Sequence, residues 1–160
     1  MPAGTFGRRV GLVAGLVVLA LGAATAQPPK GLEGTWKLDV AKSTFHPGPA
    51  PTSMTLTYTP VPNGVKIVVD MTGPDGTKQR WEMTPLYDGK DHPVTGHPNA
   101  DTISVDKSEG AKSQSTFKKG GKVTAVNMRT LSADGRTLTI ESTGTDEKGQ
   151  AIHNKQVFVR

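Results

Sequence analysis

Apolar and polar residues alternate one by one along most of the chain, which is the period of a β-strand with one buried face. The segment 53–59 shows this alternation most clearly. Its Met54, Leu56 and Tyr58 share one face, and threonines occupy the other. Gly, Pro, Asn or Asp interrupt the pattern at short intervals, and no segment after the N-terminal region has the period of an amphipathic helix. We therefore expect an all-β protein.

Most of the predicted strands are joined by short turns, among them Asn63-Gly64, Asp75-Gly76 and Asp134-Gly135. Consecutive antiparallel strands with short turns form a meander, and a long meander removes its exposed edges by closing into an up-and-down barrel of about 8–10 strands. A two-sheet sandwich is the alternative, but it needs longer crossing connections. The pattern predicts nine strands, at residues 34–40, 53–59, 65–71, 77–84, 100–106, 113–118, 122–131, 136–144 and 151–160.

The first 26 residues have the three parts of a cleavable signal peptide. Arg8 and Arg9 precede an uncharged apolar stretch, and Ala24-Thr25-Ala26 supplies the small residues that signal peptidase accepts. The rival interpretation is an uncleaved anchor, although residues 10–26 are short for a membrane span. We expect cleavage after Ala26, a short linker at residues 27–33, and a single β-barrel domain at residues 34–160. The protein would then be periplasmic or secreted, with no stable transmembrane segment.

Composition narrows the function further. The chain contains no cysteine, so an exported domain must be held together by its sheet and core alone. Without Arg8 and Arg9 the basic excess falls from five charges to three, and aromatic residues make up only 5% of the chain. A weak, scattered positive charge with few aromatic side chains does not indicate nucleic-acid binding. We expect no nucleic-acid partner.

The start of the predicted domain, Gly34-Thr35-Trp36-Lys37-Leu38, resembles the Gly-x-Trp opening of the calycin barrels, the lipocalins and fatty-acid-binding proteins. The whole domain resembles small exported lipocalin-like proteins of bacteria that have no assigned activity. The resemblance implies that Trp36 plugs the base of a barrel and that a late arginine, Arg129 or Arg160, packs over it. It also implies a possible small apolar or amphipathic ligand inside the barrel.

Two features depart from relatives of this kind. The proline-rich residues 41–52 leave no counterpart of the helical lid of fatty-acid-binding proteins. Haem-binding barrels of the nitrobindin type carry further glycines after the tryptophan, where this chain has Lys37-Leu38-Asp39. His153 would ligate haem only from the barrel interior, and its neighbour in phase, Lys155, favours solvent instead. We therefore predict no cofactor.

Candidate ligand-binding residues are aromatic, sulfur-containing or cationic side chains on predicted strands: Trp36, Tyr58, Trp81, Met83 and Arg129. Their alternative use is as plain core, because a small barrel is often filled by its own side chains. Arg80 or Arg129 would bind a ligand carboxylate if it pointed inward. The phase of its strand places Arg80 outside, while Arg129 shares a polar-leaning face with Ala125 and Asn127.

Metal binding and catalysis have weaker support. His92 and His97 share an irregular, carboxylate-containing segment at residues 85–99, but their spacing matches no standard metal site. Asp70 and Glu82 could meet across strands as a carboxylate pair. The chain has no cysteine nucleophile and no Gly-x-Ser-x-Gly motif, so we predict no catalytic residues. The expected function is ligand binding, and the alternative is a non-catalytic envelope interaction module with a filled barrel.

Overall fold

The structure is a computed structural model that describes residues 27–160, so the predicted signal peptide at residues 1–26 lies outside the described residues. Ten strands follow one another along the chain: β1 (Gly34–Leu38), β2 (Ser53–Val61), β3 (Gly64–Thr72), β4 (Lys78–Met83), β5 (His92–Thr95), β6 (Thr102–Glu109), β7 (Lys112–Lys119), β8 (Lys122–Leu131), β9 (Thr137–Thr145) and β10 (Ala151–Val159). A short 3-10 helix, Val40–Lys42, follows β1.

Every strand pairs in antiparallel fashion with its neighbours in sequence, and β1 pairs with β10 to close the barrel. The closing contact is short, with Lys37 opposite Val159 and Leu38 opposite Phe158. This topology confirms the predicted all-β, antiparallel, up-and-down lipocalin-like barrel. Across residues 27–160 the chain forms no helix with the length and apolar character needed to span a bilayer.

The prediction of nine strands was wrong by one strand, because β5 lies inside the segment that we expected to be irregular. This strand has four residues and pairs through only two positions with β4 and two with β6. Pro93 lacks a ladder donor, which hides the strand in the sequence. The predicted first strand also ended too late, because Asp39 caps the 3-10 helix by accepting a hydrogen bond from the Lys42 backbone N–H.

One end of the barrel, here called the base, carries the β2–β3, β4–β5, β6–β7 and β8–β9 connections. Trp36 is fully buried there, and its Nε1–H donates to the Leu32 carbonyl at 2.9 Å. Of the two arginines that the resemblance suggested, Arg160 lies over the Trp36 ring, 4.4 Å from its centroid. Residues 27–33, expected as a linker, thus lie against the barrel through Leu32, which is also buried.

The opposite end, here called the rim, carries the β1–β2, β3–β4, β5–β6, β7–β8 and β9–β10 connections. Side chains alternate between the two faces of each strand, so register determines which residues share a height inside the barrel. Arg129 pairs with Ser113 on one side and Ile140 on the other. One step nearer the rim, Asn127 pairs with Ser115 and Ser142.

Candidate functional site

A cavity of about 280 Å³ lies inside the barrel. Its volume is at the lower limit of ordinary ligand pockets, which begin near 300 Å³. The barrel is therefore not completely filled by its own side chains. Two walls of different chemistry line the cavity, and both come from inward-facing positions of the strands.

The apolar wall is formed by β2, β3, β4 and β6. Its side chains are those that the alternating pattern placed on the inner faces, and most are buried. Register places Leu56 opposite Val69 and Val69 opposite Trp81, so this wall is continuous across three strands. The members that line the cavity are Met54, Leu56, Tyr58, Ile67, Val69, Met71, Trp81, Met83, Ile103 and Val105.

The polar wall is formed by β7, β8, β9 and β10. Its middle layer consists of four uncharged polar side chains that are direct neighbours across four successive strands. We call this layer the polar belt: Ser115, Asn127, Ser142 and Asn154. Opposed residues on neighbouring strands lie about 5 Å apart, so these groups form one continuous hydrogen-bonding surface.

Arg129 lies one layer nearer the base and is 9% exposed. Its Nη2–H donates to the Tyr87 hydroxyl at 2.6 Å and to Ser113 Oγ at 2.8 Å, and its Nε–H donates to Ser113 Oγ at 3.0 Å. Nη1 lies 3.4 Å from the Tyr58 hydroxyl. All of these described partners are neutral hydroxyls. A buried guanidinium without a carboxylate partner is a site that favours an anion.

Burial raises the pKa of Tyr87 above its usual value, despite the nearby Arg129 charge, so the Tyr87 hydroxyl is neutral at ordinary pH. Burial acts to lower the pKa of Arg129, but contacts with Tyr58 and Tyr87 outweigh it and raise that pKa. The guanidinium is therefore a permanent positive charge at the inner end of the cavity.

The polar belt contains the one buried side-chain atom that has no hydrogen-bond partner among the described residues, Asn127 Oδ1. Leaving such an acceptor unpaired costs about 1–3 kcal/mol. This cost indicates that the polar belt does not stabilise the barrel in the absence of a ligand.

The β5–β6 connection crosses the rim and brings His97 to the edge of the cavity. The His97 ring centroid lies 4.9 Å from that of Trp81 in an edge-on arrangement, and 5.9 Å from that of Phe117. Burial lowers the pKa of His97 to about 4, and the charge of Lys119 acts in the same direction. The ring is therefore neutral near pH 7, and its Nδ1 accepts a hydrogen bond from the Asn99 backbone N–H.

Four of the five predicted ligand-binding residues line the cavity, namely Tyr58, Trp81, Met83 and Arg129. The fifth prediction needs correction, because Trp36 is fully buried in the base and does not reach the cavity. Its indole is already engaged by Leu32 and Arg160.

The two histidines singled out by sequence have different surroundings. His92 Nε2 lies 2.8 Å from Asp88 Oδ1, whereas His97 packs between aromatic rings. Within residues 27–160 no three His, Asp or Glu side chains are arranged to hold a metal ion.

The remaining candidates face outward. Arg80 binds Asp70, and Glu82 lies 3.1 Å from Lys66, so the two carboxylates each pair with a cation rather than with each other. His153 lies on the opposite face of β10 from Asn154, which lines the cavity.

Sequence reasoning missed the polar belt. The sequence pattern does not single out Ser115, Ser142 and Asn154, because polar positions of antiparallel strands usually face solvent. A signal was available on β8, where Ala125, Asn127 and Arg129 share one face and Val126 and Met128 the other. That signal is ambiguous without knowing which face is the interior.

Together, the fold and the site define a small closed β-barrel with an amphipathic internal cavity and a buried cation at its inner end. No protein-family model matches the chain, and no curated protein matches it significantly. Among solved structures, the chain is similar to zebrafish ileal bile acid-binding protein complexed with cholic acid. The identity is 12% and the TM-score 0.44, and the match covers 80% of this chain and 98% of the other.

Proposed function

We propose that this protein is an exported carrier that holds one small amphipathic anion inside its barrel. The observation that carries the proposal is Arg129, a buried cation whose described partners are all neutral and which lines a cavity with one apolar wall. A carboxylate or similar anion would bind the guanidinium, and the apolar part of the ligand would lie against Leu56, Val69 and Trp81.

The hydroxyl partners of Arg129 leave its guanidinium able to bind an anion. Tyr87 and Ser113 hold the guanidinium in place without neutralising it, so its charge stays available to a ligand. Charged hydrogen bonds contribute more than neutral ones, typically about 1.5–3 kcal/mol, and more when water is excluded. The cavity volume limits the ligand to a single small molecule.

Export is part of the same proposal, and its support is the sequence of residues 1–26. A periplasmic or secreted carrier without cysteine is compatible with a closed barrel, whose stability does not depend on disulfides. The cavity favours this function over the alternative of an interaction module with a filled barrel.

The test is binding of dodecanoate and of neutral dodecanol to lipid-stripped protein, measured by isothermal titration calorimetry. We expect dodecanoate to bind tighter than dodecanol, and Arg129→Met to reduce dodecanoate affinity roughly 10- to 100-fold while leaving dodecanol affinity nearly unchanged. Arg80→Met is the matched control, because Arg80 lies outside the barrel in an ion pair with Asp70. Equal binding of the acid by wild type and Arg129→Met would contradict the proposal.

A further inference from the structure

The polar belt has a position and a composition that the anion site does not explain. Its four side chains are uncharged, occupy one layer, and come from four adjacent strands. An anion bound at Arg129 has its partners in the layer below, where Ser113 pairs with Arg129. The belt is therefore a separate hydrogen-bonding surface within the same cavity.

The next layer towards the rim differs from the polar belt in its chemistry. Nearer the rim, Phe117 pairs with Ala125, Ala125 with Gly144, and Gly144 with Ile152, so this layer is apolar. Across the cavity, the apolar wall has no comparable belt. Gln79 on β4 and Gln156 on β10 also line the cavity, but in the belt polar side chains occupy four adjacent strands at one height, which is the pattern expected where a ligand presents a polar group at a fixed position.

Unused hydrogen-bonding capacity lies at the centre of the belt. Asn127 Oδ1 is buried and has no partner among the described residues. Its neighbour Asn154 is partly engaged, because its Oδ1 accepts a hydrogen bond from the His46 backbone N–H at 3.0 Å. Asn127 itself lines the cavity with Ser115 and Ser142 on either side, so the belt can hydrogen-bond a hydroxyl group on a ligand.

We infer that the ligand is a hydroxylated amphipathic anion whose hydroxyl group hydrogen-bonds to the polar belt at Asn127 while its anionic group binds Arg129. This inference rests on the proposed function and narrows its ligand class. Asn127 and Arg129 are two residues apart on β8, which corresponds to about 7 Å along a strand. The hydroxyl therefore lies a few carbons from the anionic group, and the rest of the ligand is apolar.

Three acids of the same chain length test the position of the hydroxyl: dodecanoate, 5-hydroxydodecanoate and 12-hydroxydodecanoate. The full-length chain is expressed with its own N-terminal segment, purified as the cell processes it, stripped of lipid and titrated by calorimetry. We expect 5-hydroxydodecanoate to bind roughly five-fold tighter than dodecanoate, since one neutral hydrogen bond is gained. The 12-hydroxy acid should show no such advantage, because its hydroxyl lies at the far end.

Asn127→Leu should abolish the advantage of 5-hydroxydodecanoate over dodecanoate, because the amide that binds the hydroxyl group is removed. Thr143→Val is the matched control, since Thr143 is exposed on the outer face of β9 beside Ser142. It should keep the advantage intact.

The outcomes separate this inference from the proposed function. Equal binding of all three acids by wild type, or an advantage that persists in Asn127→Leu, would overturn the role of the belt alone. Failure of all three acids to bind would overturn the carrier function itself, and with it this inference.

Discussion

The two walls of the barrel interior are made from strands of the same kind, yet they serve opposite purposes. On β2 and β3 the inward positions are apolar, and residues such as Leu56 and Val69 are buried. On β8 the pattern is reversed, because Asn127 and Arg129 face inward while Met128 is 40% exposed. Both walls belong to the same closed sheet. They differ in how much their inward-facing side chains contribute to the stability of the protein without a ligand.

Burial of an apolar side chain stabilises a fold by about 1.5–3 kcal/mol, whereas a buried polar group gains nothing unless it is hydrogen-bonded. The apolar side chains of both walls, including Leu138 and Phe158 on the polar wall, therefore carry the stability of the barrel. The polar belt contributes little to it and leaves Asn127 Oδ1 unpaired. Under the proposed function the polar belt serves recognition, and the predictions below test this division, from the largest expected effect to the smallest.

Leu56→Ala should reduce the free energy of unfolding by about 3 kcal/mol, because it removes a buried side chain of the apolar wall and enlarges the cavity. Urea denaturation followed by tryptophan fluorescence measures the change. A loss below about 1 kcal/mol would mean that the apolar wall is not the source of stability.

Acidification should destabilise the barrel through protonation of His97, whose ring packs between Trp81 and Phe117. Its folded pKa of about 4 lies below the ordinary value of 6.5. The unfolded chain therefore takes up a proton first, so stability is complete above pH 6.5 and falls as the pH approaches 4. The loss from this residue is about 2 kcal/mol at pH 5.

The measurement is the free energy of unfolding between pH 7.5 and pH 4.5, for wild type and for His97→Phe. Phenylalanine keeps a ring between Trp81 and Phe117 but does not titrate. A pH dependence in this window that is identical in the two proteins would contradict the assignment to His97.

Asn127→Leu should increase the free energy of unfolding by about 1 kcal/mol, since it replaces an unpaired buried acceptor with an apolar group of similar size. Stability would rise while recognition of the hydroxylated acid is lost. Thermal denaturation beside Thr143→Val reports the effect. A clear decrease in stability would show that the polar belt supports the fold.

Met128→Thr should change the free energy of unfolding by less than about 0.5 kcal/mol, because this side chain lies on the outer face of the polar wall. The same urea titration detects any larger effect. A loss comparable to that of Leu56→Ala would place Met128 in a packed interface and reverse the assignment of faces on β8.

The polar wall also shows where sequence reasoning stopped. On β2 the faces are unambiguous, since Met54, Leu56 and Tyr58 alternate with threonines, and the prediction of their shared face agrees with the structure. On β8 one face carries Asn127 and Arg129 and the other Val126 and Met128, so hydropathy alone favours the wrong interior. Similarly, β5 is too short and too rich in proline for periodicity to reveal it.

The sequence by itself determined the class of structure, because period-two alternation and closely spaced turns predict an antiparallel meander and favour its closure into a barrel over a sandwich. Tertiary structure decided the chemistry of the interior. Register across β7 to β10 placed Ser115, Asn127, Ser142 and Asn154 in one layer, and closure turned that layer and Arg129 inward. Alternation reports which residues share a face, but only pairing with distant strands determines which face becomes the inside.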